Sequence, residues 1–536
     1  MAMQKSTFRS TIKSALGKVP GFADFYWRIR GGGPPPGGFS LKEIGQVLAE
    51  WVEIASEVRQ EAPSRKSIFI FAMTRQWISQ AVLTGLGLYG LGYDVSLGFL
   101  PNLSWKEPGN IFDRKRQKRY IKQVLKPAYS QLQIISLADI STEEEVPEGF
   151  KDVLQAASMR DVKYALMRED VDRDHDLYRL RYKRNGSLAG KLFPLFKQKR
   201  PDLVLVPNGS VLEFGIVFQV ARALSIPVVS YEFGEQTNQI WLAQNEDVMR
   251  QRTDDLWEAL GGVPLCEAQK TTIRELISAR RGGDQWNQFS RQWQKVSSRG
   301  SRDVREELGL DDRPVVLLPT NVLGDSLTLG REVFSSSMTE WIVETINHFY
   351  DQQNVQLIVR IHPGEQLSWG PSVYEILEDY FDELPEHIHV IKPTADVNSY
   401  DLIDLCSLAV VFTTTLGMEV ALSGKPVVVV GETHYKGKGF THDPDSWSGY
   451  FKTLHDILEQ PEEFRLSEAQ TNLAWRYAYR FFFDYPFPFP WHVQHYQKDL
   501  HKWPINQVLD KQGIAKFGHT FHLLAGAPLS WKPKES

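Results

Sequence analysis

Cysteine is almost missing from these 536 residues: Cys266 and Cys406 are the two present, far apart in the chain. That pair can build neither a disulfide framework nor a thiolate metal site, so a reducing compartment, the cytoplasm, is the expected address. Long apolar runs are missing too. No stretch approaches the roughly 18 residues needed to cross a bilayer, and the N-terminus lacks an apolar segment followed by a small-residue cleavage site. H-E-x-x-H, G-x-x-x-x-G-K-[ST] and Cys/His clusters are absent, so no metal and no cofactor of its own is expected. Excess charge of one sign is also lacking. With 61 Lys+Arg against 66 Asp+Glu the net charge is −5, which argues against a nucleic-acid-coating protein. What is present is ordinary globular composition, 42% hydrophobic and 24% charged, in a length suited to two large domains or three small ones.

The first forty residues stand apart. Lys5, Arg9, Lys13, Lys18, Arg28 and Arg30 face one acid, Asp24, and Phe8, Ile12 and Leu16 recur every four residues. The pattern predicts a basic amphipathic helix over 5–17, suited either to an anionic membrane surface or to packing as an arm on the domain. Gly31 to Gly38 (GGGPPPGG) reads as a linker. Beyond it, short apolar runs alternate with helical stretches: SIFIFAM at 67–73, YDVSLGFL at 93–100, DLVLVP at 202–207, and 227–231. A second series has PVVLLP at 314–319, then 355–361, 388–391, 408–413 and 426–430. Such alternation predicts parallel sheets covered by helices, here two Rossmann-like doubly wound domains facing a cleft. The expected division is an arm and linker at 1–40, one domain at 41–305, a second at 306–462, and a helical, aromatic strap at 463–536 packed in a groove between domains.

Two patterns mislead. Gly85-Leu-Gly87-Leu-Tyr-Gly90 matches G-x-G-x-x-G, but its glycines end a helix instead of opening one after a strand. Asp172-Arg-Asp174-His-Asp176 resembles a D-x-D metal motif, yet no strand precedes it and its densely charged flanks read as a solvated face. The basic cluster Arg114–Arg119, with Lys122 and Lys126, reads either as a solvated helix face or as a surface for anionic lipid.

The chemistry concentrates at 314–440. Arg360-Ile-His362-Pro-Gly-Glu365 closes a buried strand, so its polar groups emerge at the carboxyl end of the sheet. There Arg360 can grip a phosphate in a fork and His362 can donate to a phosphate or leaving oxygen. Thr413-Thr414-Thr415-Leu-Gly417-Met-Glu419 carries a strand into a helix, and a helix N-terminus attracts anions. In that turn Gly417 allows close backbone approach, and Glu419 can bond a sugar hydroxyl. Asn321 and Asp325 leave the first strand of this half, Lys425 precedes the last, and Tyr435 opens a Gly-rich basic loop after it.

The order N-x-x-x-D-S, R-x-H-P-x-E, T-T-T-x-G-x-E, G-K-P-V-V-V-V-G and H-Y-x-G-x-G resembles the capsule polysaccharide biosynthesis family, clearly over about 312–450 and in outline before that. The resemblance implies a GT-B fold and a glycosyltransferase moving a sugar from a nucleotide-sugar to a cell-surface polysaccharide or its lipid-linked precursor. It implies a donor held by the C-terminal half, with Arg360 and His362 at the phosphate or leaving group, Thr413–Thr415 at the phosphate and Glu419 at a sugar hydroxyl. It also implies metal-independent chemistry, with a base from the N-terminal half near Glu213, Glu232 or Glu235. Two rivals share the fold: a UDP-sugar 2-epimerase, and a non-catalytic polysaccharide assembly or binding protein.

Overall fold

The computed structural model describes residues 15–29, 39–61, 66–101, 105–107, 110–286, 289 and 294–531. The expected helix at 5–17 falls, up to residue 14, outside the described residues, as do residues 31–38 of the linker. Among the described residues the strands in chain order are β1 (Ser67–Met73), β2 (Asp94–Leu100), β3 (Ile135–Ser136), β4 (Leu203–Pro207), β5 (Val228–Phe233) and β6 (Gln239–Gln244). They continue with β7 (Val315–Pro319), β8 (Gln356–Arg360), β9 (Ile388–Ile391), β10 (Leu408–Val411), β11 (Val427–Val429) and β12 (Phe487–Pro488).

Two compact units result. Of the described residues, the first gathers those up to Val162, Asp172–Met249 and Phe487–Leu529; the second gathers Lys163–Val171, those within Arg250–Pro486, and Ser530 with Trp531. These bounds differ from the expected 41–305, 306–462 and 463–536. The charged helices at 250–305 belong with the second unit, and the aromatic tail divides, its part from Phe487 returning to the first. Composition marks no border at 249 because both sides are ordinary globular sequence.

In the first unit the sheet order is β12-β6-β5-β4-β1-β2-β3, with β1 to β5 parallel and β6 antiparallel to both of its neighbours, β5 and β12. β1 is buried along nearly its whole length, which is why its apolar run is continuous and not alternating. The helix Arg75–Gly90 that follows is buried on almost every side. Its glycines have a packing reason: a Cβ on Gly87 would stand 2.6 Å from the Phe521 ring, and one on Gly90 would stand 2.4 Å from Leu509. The G-x-G-x-x-G pattern is thus the seat of the returning C-terminal segment. Phe489, Trp491 and Phe521 pack together there in the same unit.

In the second unit the order is β11-β10-β7-β8-β9, all parallel. Chain order reverses between β7 and β10, the topological switch point of a doubly wound sheet. One face packs Trp341, Ile346, Phe349, Val410 and Tyr450 into a core, where Tyr450 accepts a hydrogen bond from Trp341 Nε1 at 3.2 Å. The helix Met338–Phe349 is capped by Ser337, whose Oγ accepts from Glu340 N at 3.0 Å. The carboxylate of Glu340 accepts from Ser336 N at 2.5 Å, one residue before the position a capping box would use. Glu169 takes the N–H groups of Met338 and Thr339 at 3.1 and 2.9 Å.

Candidate functional site

Strand ends at the switch point of the second unit build a cavity lined by Thr320, Arg360, His362, Thr414, Thr415 and Glu419, with Arg280, Tyr400, Trp286 and Phe289 as further wall. The chain leaving β7 ties the exits together. Asn321 Oδ1 accepts from Thr413 N at 3.2 Å, and Thr320 Oγ1 accepts from His362 N at 3.1 Å.

Arg360, the last residue of β8, is 2% exposed. Its two terminal nitrogens donate to carbonyl oxygens, Lys392 at 2.6 Å and Val397 at 3.1 Å, while Nε has no partner. No carboxylate among the described residues pairs with it, and burial alone pushes its pKa down to about 10. A buried charge is ordinarily paired with a carboxylate; this guanidinium is held by two carbonyl oxygens instead. Beside it, His362 Nδ1 accepts from Gly364 N at 2.9 Å, which leaves the proton of the neutral ring on Nε2. Burial, then the Arg360 charge, lower its pKa to about 4, so at neutral pH His362 is a neutral hydrogen-bond donor.

Glu419 is clamped. Arg280 pairs with Oε1, and the Tyr400 hydroxyl donates to Oε2 at 2.5 Å. The Arg280 guanidinium lies 5.0 Å from the Phe482 ring and 5.8 Å from that of Phe289. Burial, then the Glu419 charge, push the Tyr400 phenol well above its ordinary range. Sequence reasoning missed Arg280 and Tyr400, since 139 and 19 residues separate them from Glu419 and no motif joins them.

The remaining expected residues fall into different settings. Thr414 and Thr415 reach the cavity wall; Thr413 Oγ1 is buried without a partner. The helix they open, Leu416–Ala421, is only six residues long, and its N-cap Thr415 makes no side-chain cap bond. Gly417 is small for a different reason than ligand approach: a Cβ there would sit 2.4 Å from the Tyr435 hydroxyl. Tyr435 is itself buried and donates to Thr414 O at 2.6 Å, holding the threonine turn instead of facing a ligand. Lys425 is likewise structural, its ammonium donating to the carbonyls of Ile403, Asp404 and Cys406 at 2.7 to 2.8 Å. Asp325 closes a turn by accepting from Leu327 N at 2.8 Å and does not line the cavity.

In the first unit Glu213 is 2% exposed and accepts from Arg181 at 2.9 and 3.2 Å. Asp161 shares the same guanidinium. Burial opposes ionisation of Glu213, yet Arg181 outweighs it and keeps its pKa low. That corrects the expectation of Glu213 as a base: a carboxylate locked in a buried ion pair cannot take a proton from an acceptor. Glu232, on β5, accepts from Asn208 Nδ2 at 3.2 Å and from Phe233 N at 2.9 Å; Glu235 follows the strand and is half-buried. At this carboxyl end of the sheet Thr74, Asn208 and Leu212 hold positive φ of 61°, 60° and 56°, strain of a kind that gathers at functional sites.

Residues 285–470 match the capsule polysaccharide biosynthesis protein family. No curated protein matches the chain. Among solved structures it is similar to two KpsC enzymes of Thermosulfurimonas dismutans. The beta Kdo 2,4 transferase is 16% identical over 52% of this chain and 79% of that one, with a TM-score of 0.33. The beta Kdo 2,7 transferase is 15% identical over 58% and 88%, also at 0.33. The UDP-GlcNAc 2-epimerase of Neisseria meningitidis is 12% identical over 82% and 98%, with a TM-score of 0.25.

Proposed function

We propose that the protein, whose residues 285–470 match the capsule polysaccharide biosynthesis protein family, is a glycosyltransferase. It takes a sugar from a nucleotide-sugar donor and passes it to a capsule-type polysaccharide or its lipid-linked precursor. The observation that carries this reading is Arg360, buried beside the cavity with no carboxylate partner among the described residues. A donor phosphate supplies the missing anion, and charge growing on the departing nucleotide is stabilised by a guanidinium already held in place by two carbonyls. His362, donating from Nε2, meets a phosphate oxygen without adding charge. Clamped Glu419 offers its carboxylate to a donor hydroxyl, and Trp286 and Phe289 give a base an aromatic wall. For the acceptor proton we assign a carboxylate of the first unit, Glu232 or Glu235.

A membrane address belongs to the same proposal. Phe25 and Ile29 are exposed on the helix Phe22–Ile29, and Lys115, Lys118, Arg119 and Lys122 line a hollow with Gly21 and Ala23 in that unit. Cosedimentation with anionic liposomes, but not neutral ones, is the expected result.

The test of function is product analysis after a screen of UDP-, GDP-, CMP- and dTDP-sugars by thermal shift, where a bound donor raises Tm by mass action. A transferase releases nucleotide in step with acceptor consumption. Conversion of a UDP-sugar without acceptor identifies an epimerase instead, and a flat response to every donor contradicts catalysis.

A further inference from the structure

A second hollow in the second unit is lined almost wholly by charged and polar side chains: five cations, Arg250, Arg252, Arg331, Lys436 and Lys438, against two carboxylates, Asp254 and Glu432. Three chain segments are fastened together to make it. An antiparallel bridge joins Glu332 to Gly431, and Glu432 N donates to Arg331 O at 2.8 Å. The Thr253 hydroxyl donates to His434 O at 2.9 Å, which brings in the third segment. Behind them His434 stacks on Phe481 with ring centroids 3.8 Å apart. Arg331 and Lys438 are both buried, and Lys438 pairs with the largely exposed Asp254. Burial first, then the charges of Lys438 and Arg331, lower the pKa of His434 to about 3.

We propose that this hollow is an oxyanion site for an acidic glycan, holding a carboxylate or phosphate carried by a sugar. Cations outnumber carboxylates, and two of them are fixed by burial, so an anion is bound by charges that need not be reordered. No apolar or aromatic side chain other than His434 lines the hollow, and the His434 ring is covered by Phe481. A nucleobase or a lipid chain therefore has nothing to stack on, whereas a hydroxyl-rich acidic sugar meets polar partners throughout. Naming a glycan rests on the transferase reading; the anion site itself does not.

Isothermal titration on the full chain tests this with hexagalacturonate, with uncharged maltohexaose as control, with inorganic phosphate, and with UDP. Hexagalacturonate or phosphate is expected to bind and maltohexaose is not, and the tighter of the two anions identifies the group carried. The double variant R252Q/K436Q, at exposed and half-buried positions, weakens that binding about tenfold, and Glu432→Gln tightens it. UDP affinity stays unchanged in both. Equal anion affinity in wild type and both variants overturns the proposal, as does a loss seen in Arg360→Gln instead. Failure of UDP, GDP, CMP and dTDP alike to bind, with anion binding still dependent on these charges, rejects the donor reading and leaves the site standing.

Discussion

Arg360 shows how one residue can be legible in sequence and still change meaning in the structure. Its place at the end of a buried strand was visible in R-x-H-P-x-E. Its lack of a carboxylate partner was not, because that depends on which groups β9 and the following turn bring near; they bring carbonyls. Glu419 was legible as a candidate but not as a clamped one. Glu419→Ala is expected to lower stability by about 2 kcal/mol, since Arg280 and Tyr400 lose a shared partner; urea unfolding measures it. Gly417→Ala should cost about 1–3 kcal/mol by driving a methyl onto the Tyr435 hydroxyl and Val411. The companion change Tyr435→Phe should recover part of that loss, which a merely flexible glycine would not allow.

Elements were read more securely than their partners. The strands near 67, 94, 203, 315, 356 and 408 stand within a residue or two of where apolar runs set them, because a strand buried on both faces leaves no polar alternation to confuse it. β6 and β12 escaped notice: β6 mixes buried and half-exposed residues, and β12 is two residues long, one of them Pro488. The loop after β11 carries a pH signature. His434 has a folded pKa of about 3, below its ordinary 6.5, so between those values the unfolded chain binds more protons than the folded one. Stability is therefore expected to fall as pH drops from about 6.5 towards 3, by up to about 1.4 kcal/mol per pH unit from this group. His434→Phe should flatten the slope of unfolding free energy against pH by that amount, whatever it does to stability at neutral pH.

For the whole molecule, two doubly wound units were foreseeable from alternating runs, but their borders were not. A chain that leaves the first unit at Met249 and re-enters it at Phe487 sets sequence neighbours apart, and only packing of Phe521 and Leu509 against Gly87 and Gly90 reveals it. Ending the chain at residue 486 should expose that face. Hydrogen exchange is then expected to lose protection in β1, β4 and β5 while β7 to β11 keep theirs. Under the proposed function, the second unit holds a nucleotide-sugar through the buried charge of Arg360. Isothermal titration of UDP, GDP, CMP and dTDP against wild type and Arg360→Gln, with circular dichroism to verify the fold, tests it most directly. One nucleotide is expected to bind the wild type and to bind the folded variant about 10- to 100-fold more weakly, as loss of a charge-assisted contact requires. Equal affinity for both proteins, or binding of none of the four, would contradict it.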